Sequence, residues 1–242
     1  MIIRFLAQIA LLVISVGAIR LLLKQCRKPS GWFGRLILRN MNLRHLGVTN
    51  WGLSHVAIEE DFAILDVGCG GGRTVQSLAA RASEGKVYGI DYSEASAVTA
   101  ERTNEHSIRS GRVTIQRASV SSLPFPDGFF DLVTAVETHY YWPHPEADLR
   151  EVLRVLKPGG QLVIIAESYK AERADRITEA AMKLLSARYL SVQEHRDLLE
   201  TAGYTDVEIV EERSKGWLCA VGRKPQEVVS ECVRPYQVQS LP

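Results

Sequence analysis

The sequence predicts an α/β domain: a mostly parallel sheet with helices on both faces, ending in an antiparallel hairpin at one edge. Two observations predict it. An apolar run over residues 63–67 breaks into the glycine-dense turn Gly68-Cys69-Gly70-Gly71-Gly72, and a helical pattern begins at Thr74. From Asp61 onward, strand-like and helix-like segments alternate until two final apolar segments that no helix separates. Strands joined through helices run parallel, and strands joined by a short turn run antiparallel.

Each element has its own signal. Residues 64–67 read as a buried strand, and Val75, Leu78, Ala79 and Ala82 follow at helical spacing, so a helix with one buried face succeeds the turn. Residues 87–90 form a second strand that ends at Asp91. Ser93 suits the N-cap of a helix running to about Ser107, because its hydroxyl can accept from an unpaired amide of the first turn. Residues 113–116 form a third strand, and the turn Pro126-Asp127-Gly128 introduces a fourth at 130–136. Leu149, Val152, Leu153 and Leu156 mark a helix face that Pro158-Gly159-Gly160 stops, before a fifth strand at 162–166. Ser191-Val192-Gln193-Glu194 is a capping box opening a helix that Gly203 closes. Residues 207–210 and 217–221 supply the hairpin, and the tail 225–242 has no clear periodicity.

Composition narrows the function classes. Net charge is +1, so nothing in the balance supports a nucleic-acid partner. Cys26, Cys69, Cys219 and Cys232 lie far apart with no C-x-x-C, which argues against a zinc site or disulfide framework. Residues 5–23 are apolar apart from Gln8, Ser15 and Arg20, and Lys24, Arg27, Lys28, Arg35, Arg39 and Arg44 follow. At about 1.5 Å per residue such a helix approaches the roughly 30 Å hydrocarbon core. Residues 1–28 are therefore expected to anchor the chain in a membrane, and the positive-inside rule puts the rest in the cytoplasm. A cleaved signal peptide and a helix buried against the protein are the competing readings; no small-x-small cleavage site follows the run. Residues 29–60 are expected to form amphipathic and lid helices, and 61–224 the main domain. Within the former, residues 31–39 set basic residues beside aromatic and aliphatic ones, as an interfacial or a domain-capping helix would.

The glycine turn points to a ligand. A strand, tight loop and helix start is where an α/β sheet holds a nucleotide-like molecule, and glycine lets the backbone come close to it. Asp91, ending the next strand, can accept from two ribose hydroxyls, which makes adenosine binding the first expectation. A dinucleotide fingerprint, G-x-G-x-x-G, would need glycine where Arg73 stands. A nucleotide-dependent oxidoreductase is thereby disfavoured.

The observed Asp-x-Gly-x-Gly-x-Gly at 66–72 instead resembles motif I of the class I S-adenosylmethionine-dependent methyltransferases. Two further stretches, Leu123-Pro124-Phe125-Pro126-Asp127-Gly128-Phe129-Phe130-Asp131 and residues 149–160, resemble small-molecule members of the ubiquinone/menaquinone-biosynthesis type. Similarity runs from about Asp61 to Gly222. The resemblance implies the seven-stranded Rossmann-like methyltransferase fold, preceded here by the hydrophobic helix, with S-adenosyl-L-methionine as cofactor. It also implies that Asp66 and the backbone of Gly68, Gly70 and Gly72 line the methionine end, that Asp91 takes the ribose and that Tyr92 packs near adenine. The family's acidic residue before the Leu-Pro-Phe stretch falls on Ser119, followed by Val120; a hydroxyl can accept from the adenine amino group more weakly.

Methyl transfer displaces at an already activated sulfonium carbon, so the protein must align the reactants, exclude water and, where needed, take a proton. Acceptor groups should follow the fourth strand, where Glu137-Thr138-His139-Tyr140-Tyr141-Trp142-Pro143-His144 concentrates ionisable and aromatic side chains. His139 and His144 are candidate bases, with Tyr140 beside them. Tyr141 and Trp142 are candidates for an acceptor wall, and Glu137 for the methionine end. Trp51 and His55, at i and i+4 if Thr49 or Asn50 caps a helix, are lid candidates. The expectation is a membrane-anchored methyltransferase acting on a small, lipophilic molecule; the alternative is a non-catalytic S-adenosylmethionine-binding membrane module.

Overall fold

The computed structural model describes residues 44–171 and 176–226, together with Gln25, residues 28–31, Gly34 and Leu38. The expected anchor lies almost wholly outside the described residues, as does the tail from 227 onward. Among the described residues, no helix is long and apolar enough to cross a membrane.

The strands are β1 (Ala63–Val67), β2 (Lys86–Asp91), β3 (Val113–Arg117), β4 (Phe130–Val136), β5 (Leu156–Ala166), β6 (Thr205–Glu212) and β7 (Trp217–Arg223). They form a seven-stranded sheet in the order β3-β2-β1-β4-β5-β7-β6, the arrangement of the Rossmann-like methyltransferase fold. The first five pair in parallel, and β7 pairs antiparallel with both β5 and β6. The antiparallel hairpin stands at one edge of the sheet, as expected. β7 inserts beside β5 and leaves β6 outermost, because the mostly apolar β7 is buried while β6 carries Glu208, Glu211 and Glu212.

Among the described residues, the α-helices from Leu46 onward are α1 (Leu46–Gly52), α2 (Arg73–Arg81), α3 (Glu94–Thr103), α4 (Glu105–Arg109), α5 (Pro145–Val155), α6 (Arg176–Leu184) and α7 (Val192–Ala202). The expected single helix from Ser93 to Ser107 is two. Asn104 interrupts it and turns its amide inward, donating to Gly72 O and Ala100 O at 2.9 Å each. The helix stop at 158–160 is instead part of β5, which starts at Leu156 and shifts register against β4 between Phe130 and Leu132. Sequence patterning did not reveal α6. The capping box at Ser191 and the left-handed Gly203 are present as expected.

Both faces of the sheet are covered, as its near-continuous apolar strands require. Leu65, Val67 and Val133 pack against Leu149 and Val152 of α5 and Leu199 of α7. Ile64, Val87 and Val163 pack against Val48 of α1 and Val75 and Leu78 of α2. Arg154 ties the loop before β4 to α5. Its guanidinium donates to Leu123 O at 3.1 Å, Phe125 O at 2.9 Å, Asp127 at 2.7 Å and Glu151 at 2.8 Å. The strand order reverses between β1 and β4, so a crevice opens beyond their carboxyl ends.

Candidate active site

The crevice has two connected parts. A cavity of about 430 Å³ is lined by Val67, Ile90, Asp91, Ser119, Val120 and Trp142, among others. A narrower space of about 110 Å³ is lined by Gly70, Gly71, Glu137, His45, Leu46, Thr49 and Leu38, among others. Gly68, Asp91, Tyr92, Thr138 and Tyr141 line both.

The turn after β1 is held from β2. Gly68 and Cys69 donate to Ile90 O at 2.8 and 2.9 Å, and Gly70 donates to Asp91 Oδ2 at 3.0 Å. Asp91 Oδ1 accepts from Ser93 at 2.8 Å. A carboxylate oxygen can accept more than one hydrogen bond, so a ligand hydroxyl can share Asp91 with these amides. Burial pushes the Asp91 carboxyl up, and these amide donors oppose that. Gly68 has φ +76°, and a Cβ there would come within 2.2 Å of Thr138 Oγ1. Larger residues would therefore displace the wall contributed after β4.

Two expected members of the turn lie off the crevice lining. Asp66 is only 2% exposed and accepts from Thr134 Oγ1 at 2.7 Å across the sheet; burial raises its carboxyl to about 7. Gly72 is the left-handed N-cap of α2, where a Cβ would meet Ala100 Cα at 2.8 Å, so it serves helix packing. Ser119 and Val120 do line the larger cavity, and Tyr92, half-exposed at its mouth, lies under Lys28 with Nζ 5.3 Å from the ring centroid.

The segment after β4 divides. Glu137 has a left-handed backbone (φ +57°), uncommon for a residue with a Cβ. Its carboxylate accepts from the Tyr140 hydroxyl at 2.7 Å and from the Glu167 amide. Burial raises it to about 7, the two donors notwithstanding. Thr138, Tyr141 and Trp142 line the crevice. The three candidate catalytic groups do not. Tyr140 is buried with its hydroxyl spent on Glu137, and burial pushes its phenol up. His144 is exposed as the residue before α5, where its amide donates to Asp148 at 2.9 Å.

His139 turns the other way, toward α7. Its Nε2 lies 3.0 Å from His195 Nε2, and His195 Nδ1 lies 2.8 Å from Ser191 O. A carbonyl only accepts, so His195 carries its proton on Nδ1 and must receive the Nε2–H of His139. Burial holds both imidazoles below their ordinary value, so the pair is neutral. Period-based reading had no access to this contact, which joins residues 56 apart in the chain.

The lid expectation is also redirected. His45, not Thr49 or Asn50, precedes α1 as its N-cap. Trp51 packs edge-on to His55 at 4.9 Å and against Trp217 at 5.8 Å, away from the crevice. The residues of this segment that do line it are His45, Leu46 and Thr49, with Thr49 Oγ1 donating to His45 O at 2.7 Å. The i, i+4 spacing of His45 and Thr49 was the available signal. His45, Glu137 and Glu167 place one ligand atom each within 4.8 Å of one another, the group among the described residues with metal-ligating geometry.

The lining fits S-adenosylmethionine. A cavity of nucleoside size has apolar walls, a buried carboxylate at Asp91 and a hydroxyl at Ser119; pockets for such ligands run to about 300–1,000 Å³.

Comparison with known proteins agrees. Residues 65–164 match the family model described as a methyltransferase domain. The chain is 26% identical over 180 residues to the uncharacterized methyltransferase YdaC of Bacillus subtilis, covering 74% of this chain and 92% of that one. It is 38% identical over 106 residues to the demethylmenaquinone methyltransferase of Symbiobacterium thermophilum, covering 43% of this chain but only 42% of that protein's length. A crystal structure of a SAM-dependent methyltransferase from Aquifex aeolicus superposes with a TM-score of 0.64 at 23% identity, covering 78% of this chain and 98% of that one.

Proposed function

The chain belongs to the class I S-adenosylmethionine-dependent methyltransferases, and we propose that its acceptor is a small, lipophilic molecule. The observation that carries this reading is the meeting of the two spaces at Gly68, Asp91, Thr138 and Tyr141. One space is of nucleoside size, and the other is narrow and walled partly by Leu38, Leu46 and Tyr141. That geometry supports adenosine in the first, with Asp91 on the ribose, Tyr92 and Val120 beside the purine and Ser119 at its amino edge. It supports the methionine end over Gly68–Gly71 and beside Glu137, with the acceptor entering past His45 and Tyr141. S-adenosylmethionine supplies the activated methyl group; the protein supplies alignment and exclusion of water.

The apolar run at 5–23 and the basic residues after it support a further reading, that the enzyme works at the cytoplasmic face of a membrane. The demethylmenaquinone methyltransferase similarity is in keeping with a lipophilic acceptor.

Calorimetry with S-adenosylhomocysteine, followed by turnover with a panel of quinol, phenol and thiol acceptors, tests the catalytic reading. Binding with no turnover on any of them would remove the proposed acceptor class. Flotation of the full chain with liposomes tests the membrane reading: a chain that stays at the bottom of the gradient without detergent would end it.

A further inference from the structure

We propose that the crevice opens onto a lipid bilayer: Tyr92 at its mouth and the outer face of α6 form a membrane-docking surface, across which an apolar acceptor passes from lipid into the site. This rests on the membrane reading above. Among the described residues, the exposed large hydrophobic side chains are Tyr92, Ile177 and Leu184, at 40%, 81% and 53%. Such residues are ordinary when scattered singly, but these share the edge of the sheet where the parallel strands end and the crevice lies. Tyr92 follows β2 directly. Ile177 and Leu184 stand on α6, in the connection that leaves the end of β5. That connection returns to the crevice wall, since Arg188 donates its amide to Tyr140 O at 2.9 Å, next to Tyr141.

On α6 the exposed residues Ile177, Ala180, Ala181 and Leu184 recur at i, i+3, i+4 and i+7, which makes one apolar stripe, while Met182 is buried on the other side. A helix that already packs through its inner face has here a second apolar face. Its charge suits anionic headgroups: over residues 170–190 five Lys and Arg stand against three Asp and Glu. At Tyr92, Lys28 Nζ lies 5.3 Å over the ring and Arg117 Nε donates to Tyr92 O at 3.2 Å, with Glu94 the neighbouring acid. The tether decides which way this edge faces. The apolar run at 5–23 ends five positions before Lys28, and five residues span at most about 18 Å. Lys28 lines the larger cavity, and Pro29 O accepts from the buried Ser93 Oγ at 2.7 Å, so the chain is pinned at the crevice mouth. With the run in a bilayer, that mouth is held within about 18 Å of the run's end. An acceptor dissolved in the lipid then reaches Tyr141 without crossing bulk water, which selects for an apolar body.

Depth-dependent quenching on the full chain tests this. With Cys26→Ser and Cys232→Ser in place, and Cys69 and Cys219 buried, a nitrobenzoxadiazole label is attached at Ile177→Cys, at Leu184→Cys or, for reference, at Glu84→Cys. Glu84 is exposed just before β2, at the opposite edge of the sheet. Each labelled chain is floated with vesicles of phosphatidylcholine and phosphatidylglycerol in equal parts that carry a nitroxide-labelled lipid. The labels at 177 and 184 should shift to the blue and lose most of their emission, and the label at 84 should keep its own. In chains that float, a label at 84 quenched as strongly as those on α6, or α6 labels that keep their emission, overturns the docking surface and leaves the anchor standing. Chains that do not float overturn the membrane reading itself, and the docking surface with it.

Discussion

Gly70 donates its backbone N–H to Asp91 Oδ2 at 3.0 Å, so the carboxylate at the end of β2 braces the turn that follows β1. The group proposed to hold the ribose thus also shapes the floor under the methionine end. Asp91→Ala removes both functions and leaves the amides of Gly70 and Ser93 without their acceptor. Loss of about 1–3 kcal/mol in S-adenosylhomocysteine affinity is expected, the range for an unpaired buried partner. An unaltered calorimetric Kd would remove Asp91 from the ribose.

The glycines of the turn differ in what they permit. Gly68 and Gly70 both have positive φ, at +76° and +52°, so alanine at either costs about 1–2 kcal/mol of backbone strain. A Cβ at 68 additionally strikes Thr138 Oγ1 at 2.2 Å, whereas at 70 the nearest atom outside the turn is Leu38 Cδ2 at 3.9 Å. Thermal denaturation should therefore rank Gly68→Ala well below Gly70→Ala. Equal midpoints would show that Thr138 yields freely.

His195→Phe should reveal the buried imidazole pair. It leaves the Nε2–H of His139 without an acceptor, costing about 1–3 kcal/mol. In a chain of this size that is a drop of about 2–4 °C in Tm per kcal/mol. Because His139 is turned from the crevice, the pH profile of turnover should keep its shape. A displaced profile would return His139 to the list of bases.

Asp66 makes the stability depend on pH in an unusual direction. Its carboxyl titrates at about 7 when folded and near 3.8 when unfolded. Between those values the folded chain holds more protons, so this group's contribution falls as pH rises. Asp66→Asn keeps the acceptor for Thr134 and removes the titration. Differential scanning calorimetry at pH 5 and pH 8 should show the variant gaining on the wild type at the higher value. The same difference at both would mean that Asp66 is ionised throughout.

The parts of the fold that were legible in the sequence are those where local rules and global structure agree. The Ser191 capping box, the left-handed Gly203 and the β1 turn need only neighbouring residues to be recognised, and each is found where its pattern sits. The break at Asn104 was not legible, since its cause is a hydrogen bond to Gly72, 32 residues away. In the candidate site, Asp91, Tyr92, Ser119, Val120, Glu137, Tyr141 and Trp142 were singled out and do line the crevice. His139, Tyr140 and His144 have the right chemistry for bases but are aimed elsewhere.

The sequence by itself determined the strand–turn–helix at 63–81, the alternation that makes the sheet parallel and the family with its methyl donor, because spacing and residue type suffice for these. Only the tertiary structure decided which side chains share the crevice. A 3₁₀ turn at residues 139–141 carries Tyr141 onto the crevice wall and His139 toward His195. The chain before β1 folds back to bring His45 beside Glu167, 122 positions apart by number. Direction after a turn, and contact across the chain, are set by packing of distant segments rather than by any local pattern.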